Sequence, residues 1–198
     1  MPDKRFSEHA ERNGGPILEV LRREFARCRS VLEIGSGTGQ HAVRFASAMQ
    51  YLRWQTSDLD ENHKFIKPWI ADSGLANIAS PLSLDVRTAA LPEGSYDGIY
   101  SSNTAHIMSF PAVQSMFSIV GAALRNGGAF CLYGPFRQDG EFNTASNAAF
   151  DQSLRARDPE SGIRDLQDLD ELGSQHGLAR SNLYAMPANN HLVVWRIQ

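Results

Sequence analysis

The sequence predicts an α/β protein: a doubly wound, mostly parallel seven-stranded sheet that closes with a C-terminal antiparallel hairpin. Three observations carry that prediction. First, the apolar-biased run Val31, Leu32, Glu33, Ile34 enters glycines at alternate positions, Gly35, Gly37 and Gly39, and an amphipathic segment follows. A buried strand, a glycine turn and a helix start in that order turn backbone N–H groups toward a nucleotide-like ligand. Second, further strand-like runs alternate with helical periodicities, which implies parallel strands joined by right-handed crossovers. Third, the last two strand-like runs, 179–185 and 191–197, are separated only by Met186-Pro187-Ala188-Asn189-Asn190, a hairpin connection.

Taken in order, Asn13-Gly14-Gly15-Pro16 reads as a turn and helix start, with Pro16 at the first helical position. Ile17, Leu18, Leu21 and Phe25 then form an apolar stripe. The polar stretch before it reads as a disordered leader or a flap, so residues 1–28 are taken as flap plus helix. After the glycine turn, Ala42, Phe45, Ala46 and Met49 mark an inner helix face. Residues 53–57 form a second strand that ends in Asp58 and Asp60. A helix over 62–73 should kink or restart at Pro68 and close at Gly74. Residues 78–84 make a third strand ending at Asp85, and 96–102 a fourth that runs into Asn103-Thr104-Ala105-His106. From Pro111, Val113, Met116, Phe117, Val120 and Leu124 give an amphipathic helix that Gly127-Gly128 should end, with a fifth strand over 129–133. Residues 134–162 are polar and glycine-punctuated, with one helix over 147–157. Leu166, Leu169 and Leu172 mark a last helix before the hairpin.

At 198 residues the chain reads as one domain with a substantial core. A net charge of −3 and the absence of a dense Lys/Arg run give no electrostatic reason to expect nucleic acid or an anionic membrane as partner. No apolar run of about 18 residues suggests a membrane span, and the N-terminal segment does not read as a signal peptide. The expected location is therefore cytoplasmic. Cys28 and Cys131 sit among apolar residues and read as buried free thiols.

In such sheets a ligand lies beyond the carboxyl ends of the strands, near the switch point. Four stretches fall on that rim: Gly35 to Gly39, Asp58 to Asp60, Asp85, and Asn103 to His106. The dinucleotide fingerprint would place its third glycine at position 40, which is Gln40. Glu33, two residues before the first glycine, would repel a pyrophosphate but not a cation. No Lys-Ser or Lys-Thr follows the glycines, so the turn is not a P-loop. An NAD-dependent oxidoreductase is accordingly disfavoured.

These residues resemble the class I S-adenosylmethionine-dependent methyltransferases. VLEIGSGTG resembles that superfamily's first motif, Asp58 stands where its ribose-binding acid ends the second strand, and Asp85 resembles the acid near the adenine. NTAHI and GGAFCLYGPF resemble its fourth- and fifth-strand motifs. More narrowly, ERNGGPIL, SSNTAHI and FNTASNAAFDQSLRARDPESGIRD resemble the methyltransferase-like domain of unknown function 938. The resemblance implies a Rossmann-like methyltransferase fold, S-adenosylmethionine as cofactor and S-adenosylhomocysteine as product, and leaves the acceptor open.

The expected cofactor contacts are Glu33, Gly35, Gly37, Gly39, Asp58, Leu59, Asp85, Val86 and Asn103. Alternate glycines admit the ligand without Cβ clashes, Glu33 holds the turn or meets the methionyl ammonium through a water, and Asp58 accepts from the ribose hydroxyls. Leu59 and Val86 offer apolar faces to the adenine. Asp60 reads as a helix cap. His106 is the candidate general base, needed only if the acceptor must lose a proton. SSNTAHI lacks the prolines of the amino-group methyltransferase motif, which lowers nucleobase and glutamine acceptors and favours a small molecule. Residues 136–158 are too long and too specific in composition for a passive connector, so 134–162 is taken as an acceptor-site insertion: Phe136, Asn143, Asn147, Phe150 and Arg155, with Asn13, are the expected acceptor contacts. No His/Cys cluster has metal spacing, so no metal is expected, and the isolated His9, His41, His63, His176 and His191 read as surface residues. The second reading is a non-catalytic cofactor-binding or scaffold module.

Overall fold

A computed structural model of the chain describes residues 4–198. Its main sheet has seven strands in the order β3-β2-β1-β4-β5-β10-β9. These are β1 (Ser30–Ile34), β2 (Arg53–Asp58), β3 (Ile78–Ser83), β4 (Tyr96–Ser102), β5 (Leu124–Gly134), β9 (Leu178–Met186) and β10 (Asn190–Ile197). The first five are mutually parallel, and β10 inserts antiparallel between β5 and β9. The chain runs outward from β1 through β2 to β3 and returns to β4. The carboxyl ends of β1 and β4 therefore flank the switch point where such sheets bind ligands.

Side chains alternate across the sheet, so two cores form. Leu32, Ile34, Ile99, Phe130, Leu132, Val193 and Trp195 pack under α4 (Phe110–Ala123) and α6 (Leu166–Gln175). Val31, Trp54, Tyr100, Cys131, Leu192 and Val194 pack under α1 (Glu8–Glu24) and α2 (Gln40–Ala48). Cys28 and Cys131 are buried free thiols.

Four expectations about element boundaries need correction. Helix α1 does not start at Pro16; it runs unbroken from Glu8, capped by Ser7, whose hydroxyl accepts from Ala10 N at 3.3 Å. Packing decides this. Gly14 is buried against Arg44, where a Cβ would lie 2.8 Å from Cδ. Pro16 leaves only the carbonyl of the exposed Arg12 without its helical donor, and water can serve it. The same holds for α3 (His63–Ser73), which runs through Pro68 because the residue four positions back, Lys64, is exposed. Helix α4 ends at Ala123 rather than at Gly127-Gly128. The β4–β5 register jumps from Tyr96↔Leu124 to Gly98↔Ala129, so residues 125–128 loop out, with Gly127 at φ 75. The polar segment after β5 holds two short strands besides its one helix. Strands β6 (Phe136–Gln138) and β7 (Glu141–Phe142) pair with β8 (Arg164–Asp165) in a three-stranded sheet, order β7-β6-β8, and α5 spans Ala145–Arg157.

Candidate functional site

The glycine turn is built by two neighbours. The N–H groups of Gly35 and Ser36 both donate to Ser57 O, at 3.0 and 2.9 Å, and Gly37 N donates to Asp58 Oδ2 at 2.8 Å. Gly35, Gly37 and Gly39 all have positive φ, the region that L side chains avoid. Space constrains two of them further. A Cβ on Gly35 would lie 2.6 Å from Thr104 Cγ2, and one on Gly39 would lie 3.2 Å from Ile66 Cα. Around Gly37 a Cβ would meet nothing within 4 Å, so this glycine faces open space.

That space is a cavity of about 590 Å³ at the carboxyl ends of β1, β2 and β4. Asp58 sits on its wall. Besides Gly37 N, its carboxylate accepts from Leu59 N at 2.8 Å and Asn62 Nδ2 at 2.7 Å, which leaves acceptor capacity on Oδ2. Leu59 and Val86 line the same cavity; Val86 is buried and Leu59 is 37% exposed, an apolar face with nothing on it. Asp85 lines it too, gripped by Arg87 through Nε at 2.9 and 3.1 Å and Nη2 at 2.6 Å. Those bonds pull its pKa down to about 2, so it stays ionised. Asn103, at φ 57 with its N–H on Tyr133 O at 2.8 Å, closes the far side. Asp60 makes no capping bond; the turn at 60–62 is instead held by Asp58 through Asn62.

A second cavity of about 210 Å³ lies between the turn and α1, lined by Ser7, Ala10, Glu33, Ser36 and His41. Gly35, Gly37, Ser102 and Asn103 line both cavities, so the two meet there. The segment expected as leader or flap forms the roof: Ser7 N donates to Gln40 Oε1, and His41 Nε2 contacts Ala10 O at 3.1 Å and Asn13 Oδ1 at 2.9 Å. His41 is therefore buried, not on the surface as expected, because α1 covers it. Burial pushes its pKa down to about 4. With two oxygen acceptors at Nε2, the network assigns the proton there and leaves Nδ1 to accept from the Tyr100 hydroxyl at 3.3 Å. Glu33 is 2% exposed, and its Oε2 accepts from Ser36 Oγ at 2.9 Å and Trp54 Nε1 at 3.1 Å. It holds the turn directly. Burial pushes its pKa up to about 7 despite those two bonds.

The acceptor-side residues are arranged differently. His106 is 6% exposed and lines neither cavity; Ile107 and Met108 from its own loop do. Its ring meets Phe150 edge-on at 5.5 Å and packs against Gly134. Burial, reinforced by the Arg164 charge, lowers its pKa to about 4, so the ring is neutral at pH 7. The loop that carries it is held by one short segment across four consecutive carbonyls. Arg164 Nε donates to Ala105 O at 3.0 Å, Gly162 N to His106 O at 2.9 Å, Ser161 Oγ to Ile107 O at 3.2 Å, and Arg164 Nη2 to Met108 O.

Phe136 is a core residue, 1% exposed in the α4/α6 layer, and lines neither of the two cavities. Asn143 and Asn147 both donate to Asn189 O at 3.1 Å, tying α5 to the β9–β10 turn. Arg155 is paired with Asp151 at 2.8 Å, and Asn13 with His41. Sequence reasoning missed Thr104, which fixes Gly35, and Asp158 and Glu160, which bring the 134–162 segment to the larger cavity's rim. It also misread His191 as a surface residue. His191 is partly buried, its Nδ1 has no hydrogen-bond partner, and it pairs across from Gly134, against which His106 packs. Among the described residues no group of three His, Cys, Asp or Glu could hold a metal ion.

Solved methyltransferase structures share this fold. An O-methyltransferase family 2 protein from Planctomyces limnophilus, in complex with apigenin, superposes with a TM-score of 0.84 at 16% identity, covering 96% of this chain and 58% of that one. The S-adenosylmethionine-dependent methyltransferase SibL in its apo form gives 0.80 at 21% identity, covering 95% and 55%. Human N-acetylserotonin methyltransferase, in complex with SAM, gives 0.78 at 14% identity, covering 96% and 52%. The chain thus spans about half the length of these structures, and the likeness is one of fold. A family model described as "Protein of unknown function (DUF938)" matches residues 4–197. The match runs through almost the whole chain, and the protein belongs to that family.

Proposed function

We propose that the protein is an S-adenosylmethionine-dependent methyltransferase acting on a small-molecule acceptor, as a single cytoplasmic domain whose 134–162 segment forms the acceptor side. The observation that carries this reading is the pair of cavities meeting at Gly35, Gly37 and Asn103. The larger has the fittings for an adenosine: spare acceptor capacity on Asp58 for ribose hydroxyls, and apolar faces at Leu59 and Val86 beside the ionised Asp85. The smaller suits a methionyl group, with backbone at Gly35 and Gly37 and the Glu33 carboxyl at its base. Open space over Gly37 is what a backbone approached by a ligand requires.

When bound, the cofactor supplies an electrophilic methyl group on a sulfonium. The protein's contribution is then largely alignment, which in favourable cases is worth roughly 7–11 kcal/mol of the barrier. Asn103 sits where the cavities join and fixes the β4 loop; His106, neutral at pH 7, lies behind Ile107 and Met108 of the larger cavity and is our candidate base for an acceptor hydroxyl that reaches it from that side. The neighbours described as O-methyltransferases support a hydroxyl acceptor as the first class to screen.

The test is thermal stability with S-adenosylhomocysteine against NAD. Saturation at 100 times Kd adds about 2.7 kcal/mol, roughly 5–10 °C for a domain of this size. No shift with S-adenosylhomocysteine refutes the proposal, and a shift with NAD alone favours an oxidoreductase. One observation favours a non-catalytic cofactor-binding module as the second reading. Asn13, Asn143, Asn147 and Arg155 are all engaged in internal bonds, and none lines either cavity. Methyl transfer to any acceptor in a metabolite screen would remove that reading.

A further inference from the structure

The opposite end of the sheet holds a cavity of about 450 Å³ that the proposed methyl transfer does not use. It lies between the end of α1, the residues before β1, the looped-out start of β5 and the end of β10. Arg23, Arg27, Arg125 and Arg196 converge on it from three different segments, with Glu24 and Asp97 as the acids. Both acids are already saturated. Glu24 takes Arg196 Nη2 and the Tyr184 hydroxyl, each at 2.6 Å, and Asn182 Nδ2 at 3.2 Å. Asp97 takes Arg125 Nη1 at 2.7 Å and the N–H groups of Arg29 and Ser30 at 2.8 and 2.9 Å.

Four guanidiniums against two carboxylates leave a net double positive charge. Arg23 and Arg27 are exposed and have no carboxylate within ion-pair distance among the described residues. The helix dipole accounts for a cation in the last turn of α1, hence for Arg23. It does not account for Arg27, which lies past the helix end. Arg125 and Arg196 are oriented by their ion pairs, yet Arg125 uses only Nε and Nη1 and Arg196 only Nη1 and Nη2, so donors remain on each. A planar carboxylate engages one or two guanidinium forks. Forks arriving from three directions suit a tetrahedral group with more oxygens.

We propose that this cavity, at the amino ends of the β-strands, is a binding site for a small phosphate-bearing anion. The cavity volume falls within the ordinary range for small ligands, and its net charge matches a phosphoryl dianion. The strand lengths put it about 17 Å or more from the glycine turn, so an anion there and a cofactor at the turn do not compete.

The experiment is a pyrophosphate titration followed by calorimetry and thermal shift, with ionic strength held constant by chloride. It compares the full chain, Arg23→Gln, Arg27→Gln, the double variant, and Arg157→Gln as a control on the remote α5. Wild type and the control should show saturable binding, each single variant about tenfold weaker binding, and the double variant none. Folding is checked by the unliganded melting temperature, which these exposed, unpaired side chains should leave unchanged. The proposal fails if no saturable binding appears once ionic strength is matched, or if the double variant binds as wild type does.

Discussion

Glu33→Gln should abolish a pH dependence that the wild-type fold carries, and the magnitude follows from burial. Glu33 is 2% exposed beneath the glycine turn, and desolvation lifts its pKa from 4.5 to about 7. The folded state therefore holds a proton that the unfolded chain releases between those values. With a folded pKa above the unfolded one, this group's contribution is fully present below pH 4.5 and is lost as pH rises to about 7. At about 1.4 kcal/mol for each tenfold change, the loss is about 3 kcal/mol. Glutamine keeps an oxygen to accept from Ser36 Oγ and Trp54 Nε1 but cannot ionise. The assay is urea unfolding of both proteins at pH 5, 6, 7 and 8. The variant should gain roughly 2 kcal/mol or somewhat more on wild type between pH 5 and pH 8, since part of the loss already precedes pH 5. A constant difference across that range refutes the reasoning and would mean that Glu33 is ionised in the fold throughout.

The difference between proteins is the right observable because two histidines act in the opposite sense. Burial lowers both His41 and His106 from 6.5 to about 4. Folding excludes a proton that the unfolded chain binds, so their contribution is full above pH 6.5 and is lost as pH falls toward 4. Over the range from 4.5 to 6.5 these two terms outweigh the single Glu33 term, and the wild-type profile alone would rise with pH. Glu33 also faces the smaller cavity. A cationic methyl donor there favours its ionised form, so donor affinity should strengthen as pH rises through 7 in wild type and stay level in Glu33→Gln, as calorimetry at each pH would show.

The remaining predictions concern the turn, the ribose acid and the acceptor loop. Asp58→Ala should weaken S-adenosylhomocysteine binding by at least about tenfold, since charge-assisted bonds are worth about 1.5–3 kcal/mol, whereas Asp60→Ala should change it little; the reverse order in calorimetry would assign the ribose to the wrong acid. Gly35→Ala should destabilise the fold by about 2 kcal/mol or more, because its Cβ would lie 2.6 Å from Thr104 Cγ2 at φ 75. Adding Thr104→Ser, which removes that methyl and keeps the hydroxyl on Ser101, should recover part of the loss; no recovery in urea unfolding would exclude the clash as the cause. Arg164→Met should release the loop carrying His106, speeding amide exchange over 104–109 and lowering stability by about 2 kcal/mol or more. Unchanged exchange there would refute the four-carbonyl staple. Once an acceptor is found, His106→Ala should cut methyl transfer while leaving S-adenosylhomocysteine affinity intact, and an unchanged rate eliminates the base.

The glycine turn and the rim around it are legible in the sequence because local chemistry dictates them. Positive φ at Gly35, Gly37 and Gly39 needs glycine, a strand-ending Asp58 lies on the rim wherever β2 ends, and the period-two and period-3.6 patterns place both. What the sequence hides is set by contacts distant along the chain. Pro16 looked like a helix start and Pro68 like a kink or restart, yet in each case the carbonyl left without a donor belongs to an exposed residue, which no local pattern reports. His41 looked like a surface residue until α1 folded over it. The side we propose for the acceptor is hidden for the same reason. Arg164 reaches back 56 residues to Met108 and 59 to Ala105, and those bonds add to the local Thr104 turn a restraint on the His106 loop that SSNTAHI alone does not report. If His106 does serve as the base, the residue that determines its use is Arg164. A search for the acceptor should therefore begin with the surface that the 158–164 segment and the 104–109 loop form together.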